Sequence, residues 1–178
     1  MGRVMHLLRY EWGMHFASLV TNWLPDNVPF LSFRGWLAAH FLGSCGKRLR
    51  LGRDVTMYNP AVVHFADDIY VAHGCCFMAN ATIHVGSEVM FGPYCVVASA
   101  NHTRARRSFR FGPIRGMPVV IGAGTWLAAH VTVTAGARIG QGSMVAANAV
   151  VTERVPDDVI AGGVPARVMR SIAPDEAC

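Results

Sequence analysis

From Ile121 to Pro156 the chain repeats itself every six residues: I-G-A-G-T-W, L-A-A-H-V-T, V-T-A-G-A-R, I-G-Q-G-S-M, V-A-A-N-A-V and V-T-E-R-V-P. Large aliphatics open the hexads at Ile121, Leu127, Val133, Ile139, Val145 and Val151, and Gly, Ala or Thr follows each one. Small or β-branched residues stand four positions on, at Thr125, Val131, Ala137, Ser143, Ala149 and Val155. Neither a helix (period about 3.6) nor an alternating strand (period about 2) repeats in six. A coil with three flat faces and a turn at each corner does. The aliphatic fills the narrow interior, and small residues ease the tight corner backbone. Three hexads close one triangular coil, and successive coils stack about 4.8 Å apart through parallel backbone hydrogen bonds. A β-sandwich would instead show alternating polarity with turns every ~8–12 residues, which this segment lacks.

The same phase extends backwards through Leu51, Met57, Val63, Ile69 and Cys75, and resumes with V-G-S-E-V-M at 85–90 and F-G-P-Y-C-V at 91–96. Between Cys75 and Val85 the register slips by four residues, which predicts a bulge or short loop around Ala79–Ala81. A second break, from about Thr103 to Met117, carries five Arg and no acid. A loop that interrupts a regular solenoid is usually there for function. The pattern therefore predicts an all-β chain with three parts: an N-terminal cap over 1–50, a β-helix over 51–162 with an excursion at 103–117, and a tail at 163–178.

Ahead of the hexads lie two apolar, aromatic runs, M-H-L-L-R-Y-E-W-G-M-H-F-A-S-L-V and F-L-S-F-R-G-W-L-A-A-H-F-L-G. Neither reaches the ~20 uninterrupted apolar residues of a spanning helix, and the first has none of the marks of a signal peptide. Residues 1–53 hold seven Arg or Lys against two acids, which accounts for the whole net charge of +5. Two readings stand side by side: helices that cap the open end of the coil, and a basic amphipathic surface resting on anionic lipid. Nucleic-acid binding is not expected, since the cations are scattered among bulky apolar residues without a known motif. Hydrophobic residues make up 52% of the chain, as suits a buried core plus a subunit interface. Five cysteines, at 45, 75, 76, 95 and 178, form no C-x-x-C pair, so reduced cytoplasmic thiols are expected, with Cys95 serving packing.

The hexads, together with A-N-H-T-R at 100–104, I-G-A-G-T-W at 121–126 and A-G-G-V-P-A-R at 161–167, resemble the hexapeptide-repeat acyltransferases. The branch they are most similar to contains the galactoside, maltose and colanic-acid O-acetyltransferases. The resemblance covers roughly residues 50–172. It implies a left-handed parallel β-helix, a homotrimer with active sites between subunits, and acetyl-CoA as co-substrate. The expected location is cytoplasmic, as the cysteine usage suggests, and peripheral at the inner face of the membrane on the lipid-resting reading; no metal is expected.

By that resemblance His102 is the catalytic base, and its 24-residue distance to Trp126 fits the family spacing. A histidine suits the task, because a sugar hydroxyl needs a proton acceptor that works near neutral pH. The resemblance also implies a backbone N–H at Ala129 for the thioester oxyanion and another at Ala147 for the pantetheine arm. Thr152, Arg167 and Arg170 fall near the adenosine and phosphates, and Trp126 beside the cofactor. Glu153 stands where relatives often have Lys, with Arg154 placed to compensate. On the acceptor side the chain keeps Asn80, with Asn101 and His84 as further candidates, and Ala72 replaces an expected Asn. The Arg-rich excursion favours an acidic acceptor, such as a polysaccharide unit or a lipid-linked sugar. His84 and His102 lie 18 residues apart, one coil, which predicts that they stack near each other. Such a pair fits a catalytic dyad or two of three zinc ligands in a γ-type carbonic anhydrase. Other readings are transfer to an antibiotic or nucleotide-sugar amine, and a non-enzymatic scaffold subunit.

Overall fold

The computed structural model describes residues 2–173; Cys178 and the end of the C-terminal tail lie outside them. Short parallel strands stack into three flat sheets, giving a β-solenoid of about six coils with a helical segment at its N-terminal end. The first sheet contains Ser44–Cys45, Val63–Phe65, Ile83–Val85, Val119–Ile121, Arg138–Ile139 and Arg154–Val155. The second contains Arg50–Leu51, Tyr70–Val71, Met90–Phe91, Trp126–Leu127, Met144–Val145 and Val159–Gly162, closed by antiparallel Arg167–Ser171. The third contains Thr56–Tyr58, Cys76–Met78, Val96–Ala98, Thr132–Val133 and Val150–Val151.

The core is a set of columns running up the interior. Leu51, Val71, Phe91, Leu127, Val145 and Ala161 stack in register on the second sheet, all buried. Met57, Phe77, Val97, Val133 and Val151 do the same on the third. The small residues two places ahead of these columns (Thr125, Val131, Ala137, Ser143, Ala149) also point inward and are buried. Gly122 and Gly140 serve the close approach of stacked coils. A Cβ on Gly122 would lie 2.4 Å from Gln141 N in the coil above.

Two of the three corners are uniform. One carries a left-handed residue in every coil, at Arg48, Asp68, Glu88, Gly124, Gly142 and Asp158; the next does so at Asp54, Gly74, Tyr94, His130 and Asn148. The third corner, between the third sheet and the first, is where the chain departs from six. It holds residues 59–62 in the first coil and 79–82 in the second, then releases an excursion after Ala98 that rejoins at Val119. The early coils are therefore 20 residues long, from Leu51 to Val71 to Phe91, and the later one from Leu127 to Val145 has 18. This corrects the register read from the sequence. The slip of four is not one bulge at 79–81 but two additions of two residues, at 59–62 and 79–82. Val63, Ile69 and Cys75 are buried, yet they occupy the inner column two places before the expected one.

At the N-terminal end a helical run, α-helical over Arg3–His6, π-helical over Leu7–Trp12 and α-helical over Gly13–Thr21, is followed by the helix Val28–Ala39. Asn27 caps the latter by accepting from Phe30 N–H, with proline in the first turn. This helix lies so close to the first coil that a Cβ on Gly35 would sit 1.9 Å from the Leu49 carbonyl. Arg34 is 2% exposed and fastens the joint. Its guanidinium donates to Asp26 Oδ1 (3.0 Å) and to the carbonyls of Leu51 (2.7 Å), Leu24 (3.0 Å) and Thr21 (3.2 Å). One of the seven N-terminal cations is thus an internal fastener and not surface charge.

Candidate active site

The irregular corner builds a cavity of about 460 Å³, lined among others by Tyr58, Asn59, Met78, Asn80, Ala98 and His102. Three consecutive coils contribute one layer each, which is why residues 20 or more apart in sequence meet there. His102 ends the strand Ala100–His102, paired antiparallel with Ile114–Gly116, so that His102 faces Ile114 across the hairpin. The hairpin is held at its base and along its length. Met117 N–H donates to the Ser99 carbonyl (2.8 Å), and Thr103 Oγ1 donates to the Pro113 carbonyl (2.6 Å). The His102 side chain is exposed, lines the cavity and makes no hydrogen bond among the described residues.

Two contributors were not foreseen from the sequence. Ser99 is fully buried; its Oγ accepts from the N–H groups of Asn80 (3.0 Å) and Ala81 (2.9 Å) and donates to the Ala81 carbonyl (2.7 Å). It therefore ties the Asn80 turn to the root of the His102 hairpin. A serine in a column of buried small residues was the available signal. Glu11, from the π-helical stretch, lines the same cavity. Nothing in the spacing connects residue 11 with residue 102. Only the fold does.

The structure brings Asn80 and His102 together but separates other candidates. Asn101 is exposed in the hairpin opposite Arg115 and is not among the lining residues. His84 does not meet His102: the extra residues at the third corner carry His102 out of phase. His84 instead stacks on His64, with ring centroids 4.8 Å apart, and Ser44 Oγ lies 2.9 Å from His64 Nδ1. Among the described residues no group of three His, Cys, Asp or Glu stands at metal-binding geometry.

The residues implied for acetyl-CoA lie elsewhere on the same chain. Trp126 points outward from the second sheet, in a ladder that runs through Met144 and Ile160 to Arg170. Ala129 and Ala147 share the corner between the second and third sheets. The Ala129 carbonyl accepts from Asn148 N–H (3.0 Å), while the N–H groups of Ala129 and Ala147 have no partner among the described residues. Thr152 is exposed, and Arg167 lines a small hollow of about 130 Å³ with Glu153 and Arg154 at the far end. None of these residues lines the His102 cavity. Cys75 and Cys95 are buried one above the other; the hydrogen bond with Cys95, and then burial, push the Cys75 thiol well up. Both side chains lie in the packed interior.

Residues 118–153 match the family model described as bacterial transferase hexapeptide (six repeats). A galactoside O-acetyltransferase of Lactococcus lactis is 36% identical over 110 residues, 62% of this chain and 53% of that protein. The chain spans about half the length of the first curated relatives it matches. Among solved structures, a maltose O-acetyltransferase from Clostridium difficile superposes with a TM-score of 0.81 at 24% identity, over 95% of this chain and 89% of that one. A hexapeptide-repeat-containing acetyltransferase from Vibrio cholerae, complexed with acetyl coenzyme A, gives 0.80 at 24% identity over 97% and 91%. The likeness to hexapeptide-repeat acyltransferases read from the sequence therefore holds in family model, relatives and fold.

Proposed function

We propose that this hexapeptide-repeat chain is an acetyl-CoA-dependent O-acetyltransferase acting on a sugar hydroxyl. One observation carries the reading: a histidine with no protein hydrogen-bond partner among the described residues lines the same cavity as an amide (Asn80) and a carboxylate (Glu11), groups suited to sugar hydroxyls. In the reaction His102 takes the proton of the acceptor hydroxyl as its oxygen attacks the thioester carbonyl carbon. The N–H of Ala129 donates to the resulting oxyanion. The C–S bond then breaks, and the imidazolium returns its proton to the departing CoA thiolate. No covalent enzyme intermediate is required.

His102 and the free N–H groups of Ala129 and Ala147 belong to different corners of one chain, so the reading requires two copies per site. A homotrimer, in which the hairpin of one protomer faces the Ala129–Ala147 corner of its neighbour, meets that requirement. Thr152, Arg167 and Arg170 then hold the nucleotide end of CoA, with Arg167 supplying paired donors to phosphate.

For the acceptor, the hairpin beyond His102 favours acidic sugar material. At its tip Arg106 and Arg107 both adopt left-handed backbone (φ 48° and 63°), and Phe109 and Phe111 are exposed beside them. The five Arg and the absence of acids over 103–117 support an anionic acceptor at this hairpin. The test is release of CoA thiol from acetyl-CoA against a panel of neutral glycans, carboxylated and phosphorylated glycans, nucleotide sugars and amino sugars. Turnover is expected with acidic glycans first and amines last; turnover confined to amines overturns O-transfer, and absence of turnover on the whole panel overturns the acceptor class.

A further inference from the structure

The helical run at the N-terminal end is amphipathic in an unusual sense. Its inner face places Met14, Ala17 and Thr21 against the solenoid. Its outer face presents Met5, Leu8, Trp12, Phe16 and Leu19 at steps of three or four residues, with Trp23 in the turn just beyond its end, each more than half exposed. That spacing is a single stripe along the helix. The neighbouring helix also exposes Phe33 and Trp36, whose ring centroids lie 6.0 Å apart in a stacked arrangement. An exposed apolar stripe of this size along one helical run marks a contact surface.

Charge beside the stripe says what it contacts. Between the second helix and the first coil runs a groove of about 440 Å³, with Trp36 on one wall and Lys47, Arg48 and Arg50 on the other. Arg48 is paired with Asp68, whereas Lys47 and Arg50 form no ion pair among the described residues. Arg9 is exposed on the first helix, its guanidinium over the Tyr10 ring. The one acid of that helix, Glu11, lines the His102 cavity. Among the described residues no helix is long and apolar enough to cross a membrane. We propose that this face lies in the plane of an anionic phospholipid surface, with the stripe in the headgroup boundary and Lys47, Arg50 and Arg9 on lipid phosphates. A two-fold pairing with a second copy is disfavoured, since it sets these cations against themselves. The proposal does not depend on the transfer chemistry.

The experiment uses the full chain with phosphatidylcholine vesicles, with and without phosphatidylglycerol, followed by co-sedimentation and tryptophan emission. Binding at least about tenfold tighter on the anionic vesicles, weakened by salt and accompanied by a blue shift, is expected. Lys47→Glu/Arg50→Glu should erase the preference for anionic lipid, and Leu19→Glu/Trp23→Glu should cut binding to either vesicle by about tenfold or more. Leu8→Ser, a milder change, serves if the double variant melts early. Equal binding to neutral and anionic vesicles, or none to either, overturns the proposal. So does a drop in sedimentation mass for Leu19→Glu/Trp23→Glu, which would assign the stripe to contacts between copies. Acetyl transfer to a soluble acceptor stays unchanged in these variants, so failure here is separate from failure of the catalytic reading.

Discussion

The first half of the solenoid and the second are built from the same columns yet do different work. From Ile121 onward the coils shorten to 18 residues (Leu127 to Val145) and then 16 (Val145 to Ala161), their corners are tight, and Leu127, Val145 and their neighbours stack without interruption. From Leu51 to Phe91 the coils have 20 residues, and all the surplus sits at one corner. The cavity with His102 is made from that surplus. A regular repeat optimises burial but offers only shallow outer faces; a concave site requires the repeat to fail, at the same corner, in consecutive coils. The His102 cavity and the regular stacking are thus divided between the halves.

The sharpest way to break this division is to damage each half and read the other. His102→Ala should lower turnover by about 10²–10⁴-fold with an unchanged melting temperature; activity near wild type would remove His102 as the base. Its counterpart, Ile139→Ala in the regular half, should cost about 2–5 kcal/mol of stability while leaving turnover per folded molecule intact, as urea melts alongside thiol release would report. Ser99→Ala lies between the two. It leaves the N–H groups of Asn80 and Ala81 without their buried acceptor, for about 1–3 kcal/mol, and should raise the acceptor KM more than the acetyl-CoA KM. Equal effects on both would show that Ser99 supports the fold alone.

The smallest expected effect concerns the histidine stack. Burial, and then the neighbouring His84 charge, hold the His64 imidazole below its ordinary pKa. The folded state therefore prefers His64 neutral. Its contribution to stability is present above the unfolded value of about 6.5 and is lost as pH falls through the lower folded value. Melting temperature should decline on acidification from about pH 6.5 down through that lower value, less steeply in His64→Gln; parallel profiles would remove the stack as a source of the decline.

Much of this architecture can be read along the chain, because each inward column demands an aliphatic at fixed intervals. The 20-residue coils are harder to see. Residues 59–62 and 79–82 add length without breaking the columns on either side, so a six-residue count drifts by two per coil and mimics one slip. The same drift produced the false pairing of His84 with His102. His102 and Asn80 were legible as individual residues, whereas Glu11 was not, since a helix far away in sequence delivers it. Arg34 counts as surface charge in a composition, and only its four acceptors reveal an interior role.

Arg167–Ser171 runs antiparallel against Val159–Gly162, while residues 163 and 166 satisfy the backbone of Val150. At the opposite end Arg34 occupies the Leu51 carbonyl. A stack of parallel strands otherwise exposes a template on which further strands can add without limit. With part of the template covered at each end, strand addition there is hindered, and lengthening by duplication enters most readily internally, where a copied block meets compatible coils above and below.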